Sequence, residues 1–331
     1  MKGNIFYPIR HGSCGGPWVQ KFSRVLVTGG AGFIGSHLVH RLLARGYSVV
    51  VLDNFRSGKI ENISEYLKDE NFKLVKGDVC DRKVVRNAME EADAVVHLAA
   101  LIDVEESVNN PMETHHVNVD GTLNVLNEAV RSRVKKFLFA SSTAVYGEGN
   151  PLPLKEDYPL KPISPYAASK AAAEHYCKAF HQCYRLPTVI LRYFNVYGSR
   201  REYDSYSGVI TTFVNNALKD KPLVIFGDGE QTRDFVHVED VVSSTILALK
   251  GANSVGEILN VCTGEPTSVN DLAQTVKEVA GKNLQIIHGE PRKGDIRSNY
   301  GDPSKAEKTL GFKAEISLRE GLKRIADSYA N

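Results

Sequence analysis

The sequence predicts an α/β fold: a doubly wound parallel sheet with a smaller, discontinuous α/β second domain. Three observations lead there. Up to about residue 197, short runs that are apolar throughout alternate with amphipathic helical stretches, the pattern of a parallel sheet covered on both faces. A glycine-rich turn at residues 28–35, "TGGAGFIG", joins the first such run to the first helical stretch. Beyond residue 197 the alternation weakens into polar loops and shorter pieces, with no internal repeat.

The elements follow in order. "SRVLVTGG" is a strand. "FIGSHLVHRLLARG" carries Ile34, Leu38, Leu42 and Leu43 at helical spacing, with Gly46 as a stop. "YSVVVLDN", "FKLVKGDV" and "DAVVHLAA" are further strands. A helix with Leu123, Leu126 and Val130 on one face precedes the strand "KFLFA" at residues 136–140. A longer helix from about Pro165 to Tyr184 precedes "LPTVILRYFNVYG". "PLVIFGDGEQTRDFVHVEDV" reads as a strand, a turn and a helix start, and "GEILNVCTG" as one more strand. The expected division is an extension at residues 1–21, holding Trp18, and a dinucleotide-binding domain of the Rossmann type at 22–195, with a returning piece near 235–262. Residues 196–234 and 263–331 would form the second domain.

Composition narrows the function classes. The chain has 331 residues, 42% hydrophobic and 24% charged, as expected of a soluble protein of about two domains. A net charge of +2, from 41 basic and 39 acidic residues, gives no reason to expect nucleic acid or an anionic membrane as partner. No run approaches a membrane span, and the first residues lack the apolar stretch of a secretory signal. The five cysteines show no paired spacing. Reduced thiols in a cytoplasmic protein are the expectation.

Gly30, Gly32 and Gly35 satisfy G-x-G-x-x-G, and Gly29, Gly32 and Gly35 satisfy G-x-x-G-x-x-G. Glycine lets the backbone turn sharply and approach a pyrophosphate, and the helix that follows offers free N–H groups and the positive end of its dipole. Asp53 ends the second strand, where a carboxylate accepts both ribose hydroxyls of an adenosine and repels a 2′-phosphate, favouring NAD over NADP. Asp78 ends the third strand and falls near the adenine. His97 reads as a packed core histidine, and the adjacent His115 and His116 face apart on a helix and make no metal site.

Residues 141–147, "SSTAVYG", set a cluster of hydroxyls at a strand end. Downstream, in "SPYAASKAAAEHY", Tyr166 and Lys170 lie four apart on a helix and share a face. An ammonium near a phenol favours the phenolate, which turns tyrosine into a usable base.

Together "TGGAGFIG", "LDN", "GDV", "HLAA", "SSTAVYG", "YAASK", "RYFNVYG" and "RDFVHVED" stand in the order of the extended short-chain dehydrogenases/reductases. The chain most resembles their nucleotide-sugar 4-epimerases, of the UDP-glucose/UDP-N-acetylglucosamine type, from about residue 24 onward. The resemblance implies Ser142, Tyr166 and Lys170 as catalytic residues and NAD as cofactor. It adds Phe33, Ile34, Asn54, Ser57, Gly58, Val79, Leu98, Ala99, Ala100, Asn118 and Tyr193 to the cofactor site. For a UDP-sugar substrate it implies contacts from Thr143, Asn195, Val224, Phe226, Arg233, Arg292, Asp295 and Asn299. Asn299 matches the residue that walls the sugar pocket; asparagine is intermediate in size, and N-acetylated sugars are expected to be accepted. Some relatives have a lysine where this chain has Ile102.

Dehydratases and decarboxylases of this group carry acids just after the catalytic hydroxyl, whereas Thr143 and Ala144 follow Ser142 here. Reversible oxidation at one carbon remains. The resemblance also implies a homodimer through the helix after "VNVDGT" and the helix bearing Tyr166, where Ala167, Ala168, Ala171 and Ala172 permit close approach. Two alternatives stand beside this reading. A UDP-glucuronate 4-epimerase would use Thr143 or Arg200 and Arg201 for the sugar carboxylate. A non-catalytic NAD-binding regulator would keep the fold.

Overall fold

The computed structural model describes residues 22–199, 208–291 and 296–330. In the first half, β1 (Arg24–Thr28), α1 (Phe33–Leu43), β2 (Ser48–Asp53), β3 (Phe72–Lys76), α2 (Arg82–Met89) and β4 (Ala94–His97) come first. They are followed by α3 (Val104–Asn109), α4 (Pro111–His115), a π-helical turn at His116–Asp120, α5 (Gly121–Arg131), β5 (Lys136–Ser142), α6 (Pro165–Tyr184) and β6 (Thr188–Tyr193).

The second half holds β7 (Asn195–Tyr197), α7 (Val209–Leu218), β8 (Leu223–Phe226), β9 (Thr232–Arg233), β10 (Phe235–His237), α8 (Val238–Lys250) and β11 (Ile258–Val261). Then come β12 (Thr267–Ser268), α9 (Val269–Ala280), β13 (Ile286–Gly289), β14 (Ser298–Asn299), α10 (Ser304–Leu310) and α11 (Leu318–Ala330).

The main sheet has seven strands in the order β11-β6-β5-β4-β1-β2-β3, all paired in parallel. Successive residues of a strand point to opposite faces, and both faces are covered. Val25, Val27, Val49 and Val51 belong to one buried cluster, Leu26, Val50 and Leu52 to the other. The strand order reverses between β1 and β4, the place at which such sheets bind ligands. A third cluster, including Ile210, Phe213, Leu223, Leu272 and Leu322, packs residues from the second half of the chain.

Local chemistry sets the boundaries. α6 starts where the Ser164 side chain accepts from Ala167 N, with Pro165 in the first turn, and ends at left-handed Arg185. α2 starts at Asp81, whose carboxylate accepts from Lys83 N and Val84 N. The strand expected to stop at Ala140 runs on to Ser142, because Ser141 and Ser142 keep their places beside Arg192 and Tyr193 of β6. No helix among the described residues is long and apolar enough to cross a membrane.

Candidate active site

The glycine turn closes tightly. Gly29 has φ of +70°, and a Cβ there would lie 2.9 Å from Ala99 N. A Cβ on Gly35 would lie 2.1 Å from Gly29 O. Gly32 caps α1 with no side chain, and the first turn holds no acid, so the positive end of the helix is left for an anion. Phe33 stacks edge-on against His37 at 5.9 Å, and Ile34 packs on the core.

Asp53 is buried at the end of β2. Its Oδ2 accepts from Ala31 N at 2.9 Å and its Oδ1 from Phe55 N at 2.8 Å. Burial raises its pKa, against the pull of these two N–H groups. A Cβ on Gly58 would come within 2.9 Å of both carboxylate oxygens, so glycine keeps that approach open. Exposed Asn54 donates to Asp78 Oδ2 at 2.7 Å. Burial opposes the ionisation of Asp78, but the Cys80 N–H and Asn54 outweigh it and lower its pKa. Ser57 is exposed and Val79 buried. Arg56 ties this loop to α3 and α4 through Glu106 and Glu113.

Leu98, Ala99 and Ala100 are half-buried on the other side of the glycine turn. Asn118, in the π-helical turn, exchanges two 2.8 Å bonds with the Leu101 backbone and donates to Ser169 Oγ. Tyr193 is buried, its hydroxyl 2.7 Å from Thr245 Oγ1. A glycine cradle, an uncapped helix start and a carboxylate at the end of β2 fit a dinucleotide. His97 is a core residue, held by Thr28 at 2.7 Å and Thr122 at 3.0 Å. Burial, helped by the Lys170 charge, pushes its pKa down to about 3.

Ser142 begins the 3-10 turn Thr143–Tyr146, its Oγ accepting from Ala144 N at 3.2 Å. Tyr166 lies at the start of α6, buried, its backbone N donating to Ser107 Oγ at 3.1 Å. Burial raises the Tyr166 pKa, and a hydrogen bond with Ser142 works the other way. Lys170, one turn on, donates to Ala140 O at 2.9 Å and sits over the Phe139 ring at 5.0 Å. Burial brings its pKa down to about 8. Ser142 thus acts on the Tyr166 phenol, while the ammonium expected to tune it is bound to the strand end.

Thr143 Oγ1 donates to Asn299 Oδ1 at 3.0 Å, so β14 reaches the turn that follows Ser142. Asn299 pairs with Arg233 in the β14–β9 register, and Arg233 Nη1 donates to Ile296 O at 2.6 Å. Asn195 Nδ2 donates to Asp234 O at 3.2 Å. Val224 and Phe226 point outward from β8, and Ile102 is exposed. Arg292, Asp295, Arg200, Arg201 and residues 1–21 lie outside the described residues.

A profile described as the NAD dependent epimerase/dehydratase family matches residues 25–262. The chain belongs to this family. NAD is therefore its cofactor, and its fold is that of solved family members.

Among curated relatives, a Methanocaldococcus jannaschii protein provisionally named a UDP-glucose 4-epimerase is 42% identical over 93% of this chain and 98% of its own length. An Arabidopsis thaliana protein named UDP-glucuronic acid decarboxylase 4 is 37% identical over 97% of this chain and 72% of its own. Among solved structures, a Thermotoga maritima UDP-glucose 4-epimerase with UDP-glucose has a TM-score of 0.88 at 38% identity, covering 93% of this chain and 98% of that one. A Methanobrevibacter ruminantium UDP-N-acetylglucosamine 4-epimerase with UDP-N-acetylmuramic acid has a TM-score of 0.89 at 36% identity, covering 94% and 99%. A Bacillus cereus UDP-glucuronic acid 4-epimerase with its sugar and NAD has a TM-score of 0.85 at 33% identity, covering 92% and 98%.

In this member of the epimerase/dehydratase family, sequence reasoning passed over Asp234. Its fully buried carboxylate accepts from Thr263 N at 2.8 Å, Thr263 Oγ1 at 2.7 Å, Gly264 N at 2.9 Å and Gly301 N at 3.3 Å. Asp234 therefore fixes the segment that carries Asn299 against the strand that carries Arg233. Only its place beside Arg233 in "RDF" hinted at this.

Proposed function

We propose that this chain catalyses reversible 4-epimerisation of a UDP-hexose, with UDP-glucose/UDP-galactose and the N-acetylated pair UDP-GlcNAc/UDP-GalNAc as substrates. The observation that carries the reading is the burial of Tyr166 beside Ser142, whose hydroxyl counters the burial-driven rise of the phenol pKa, with Thr143 and Ala144 following where elimination or decarboxylation would need an acid. When bound, NAD accepts a hydride and returns it, so that the sugar C4 passes through a ketone. Gly29, Gly32, Gly35 and Asp53 hold the cofactor at the carboxyl ends of β1 and β2.

Tyr166 takes the proton of the sugar 4-hydroxyl, and Ser142 bonds the same oxygen and relays the proton. Burial alone disfavours the phenolate. The Ser142 hydroxyl acts against that rise. Arg233 and Asn195, with Arg292 and Asp295, hold the diphosphate and nucleotide, and Asn299 walls the sugar pocket. The third buried cluster is the substrate-side domain.

UDP-glucuronate is a second candidate substrate, because Thr143 places a hydroxyl beside the sugar wall. A homodimer through α5 and α6 completes the proposal. Ala168 and Ala172 lie toward the outside of α6, while Ala167 and Ala171 are buried within the subunit.

Incubation with UDP-GlcNAc, UDP-glucose and UDP-glucuronate separately, without added NAD, followed by anomeric-proton NMR, tests the reading. A galacto-configured product growing toward equilibrium is expected. Unchanged sugars, even with NAD added, would overturn it and favour the regulator.

A further inference from the structure

Tyr166, Lys170 and Glu174 follow at four-residue spacing on α6 and so share a helix face. The proposed chemistry uses the first two and leaves Glu174 without a role. Glu174 has no exposed surface, and a carboxylate so placed is costly unless paired. Arg192 of β6 donates to it twice, through Nε at 2.9 Å and Nη2 at 2.7 Å. Ser141 Oγ of β5 donates at 2.5 Å.

Ser141 and Arg192 are partners in the β5–β6 ladder, and Ser142 and Tyr193 are the next pair. One residue before Ser141, Ala140 O accepts from Lys170 Nζ at 2.9 Å. Two successive turns of the helix face are thus stapled to two successive residues of β5. Arg192 is anchored in turn: Nη1 donates to Glu156 O at 3.1 Å, and the guanidinium lies over the Tyr146 ring at 4.7 Å.

We infer that Glu174, backed by Arg192, is a positioning residue that sets the register of α6 against the carboxyl end of β5 and so holds Tyr166 and Lys170 in line with Ser142. A buried ion pair is a poor source of stability, but charge-assisted bonds from two strands fix direction. The groups facing Lys170 are His97 on β4 and Tyr166, Glu174 and Cys177 on α6. Burial keeps His97 and Cys177 uncharged near neutrality. Glu174 is then the anion that works against the burial-driven fall of Lys170. This role rests on the reaction proposed above.

The test uses the full chain with its bound cofactor. Ser141→Ala keeps every charge and removes one staple. It should lower kcat about tenfold, with KM within about twofold and the high-pH limb of kcat unmoved. Glu174→Gln keeps the shape but leaves the Arg192 charge uncompensated. It should move that limb to lower pH, and with it the Lys170 titration read from its 13Cε resonance, assigned with Lys170→Met. A folded Ser141→Ala protein with the wild-type kcat overturns the inference. So does a Glu174→Gln protein that loses only melting temperature. If Glu174→Gln does not fold, Ser141→Ala decides alone. A wild-type chain that epimerises no UDP-sugar overturns the reaction, while the Lys170 titration still tests the role of Glu174.

Discussion

The hydroxyl of Thr143 donates to the side-chain carbonyl of Asn299 at 3.0 Å, across 156 residues of sequence. A strand of the second half of the chain is thereby in direct contact with the turn that follows Ser142. Asn299 is only 4% exposed, so its side chain is held in place by this contact. Asn299→Tyr adds a ring at this position and should exclude an N-acetyl group while sparing the unacetylated sugar. The ratio of kcat/KM for UDP-glucose over UDP-GlcNAc should rise by at least about tenfold. Initial rates on the two sugars check it, and an unchanged ratio would remove Asn299 from the pocket.

Each carboxylate oxygen of buried Asp53 accepts one backbone N–H, and Gly58 leaves no side chain against them. Asp53→Ala removes charged acceptors worth about 1.5–3 kcal/mol, so NAD should bind roughly ten- to a hundredfold more weakly. Calorimetric titration of the cofactor-stripped variant with NAD measures this. Retention of wild-type affinity would place the ribose elsewhere.

Lys170 carries its charge only below about 8, because burial depresses its pKa from 10.5. Activity that needs the cation should therefore decline as pH rises through about 8. Stability runs the opposite way. Between about 8 and 10.5 the unfolded chain holds this proton more readily than the folded one, so the Lys170 contribution to stability rises with pH. A kcat profile from about pH 7 to 10, with circular dichroism at each point, should show activity lost while the fold persists.

His97 is kept neutral in the core, its pKa down to about 3 from 6.5. Below 6.5 the unfolded chain takes up a proton that the folded chain refuses. Stability from this group is intact above the unfolded value and drains as pH falls, at up to about 1.4 kcal/mol per pH unit. His97→Gln removes the titration and should flatten the slope of unfolding free energy between about pH 5 and 7, measured with urea.

Much of the structure around the glycine turn was legible because it is local. The glycine turn, the strand ending at Asp53 and the helix bounded by Pro165 and Tyr184 each depend on residues close in sequence. The spacing of Tyr166 and Lys170 correctly placed them on one helix face. It could not say that the lysine would bond Ala140 O, since that depends on where β5 ends. Asp234, Glu174 with Arg192, and Tyr146 with its 2.6 Å bond to Asn260 were not legible, because each partner comes from another part of the chain. A lone acid or tyrosine in sequence does not reveal whom it will meet.

The placement of β11 and β14 bears on how the protein is made. The edge strand beside β6 comes from residues 258–261, and the wall facing Thr143 comes from Asn299. During synthesis the glycine turn and the tyrosine helix leave the ribosome long before either. Closing such long loops is slow, so the nascent chain passes through an interval with β6 uncovered and Thr143 without its partner. The contact that Thr143 makes is completed only by a residue made 156 positions after it.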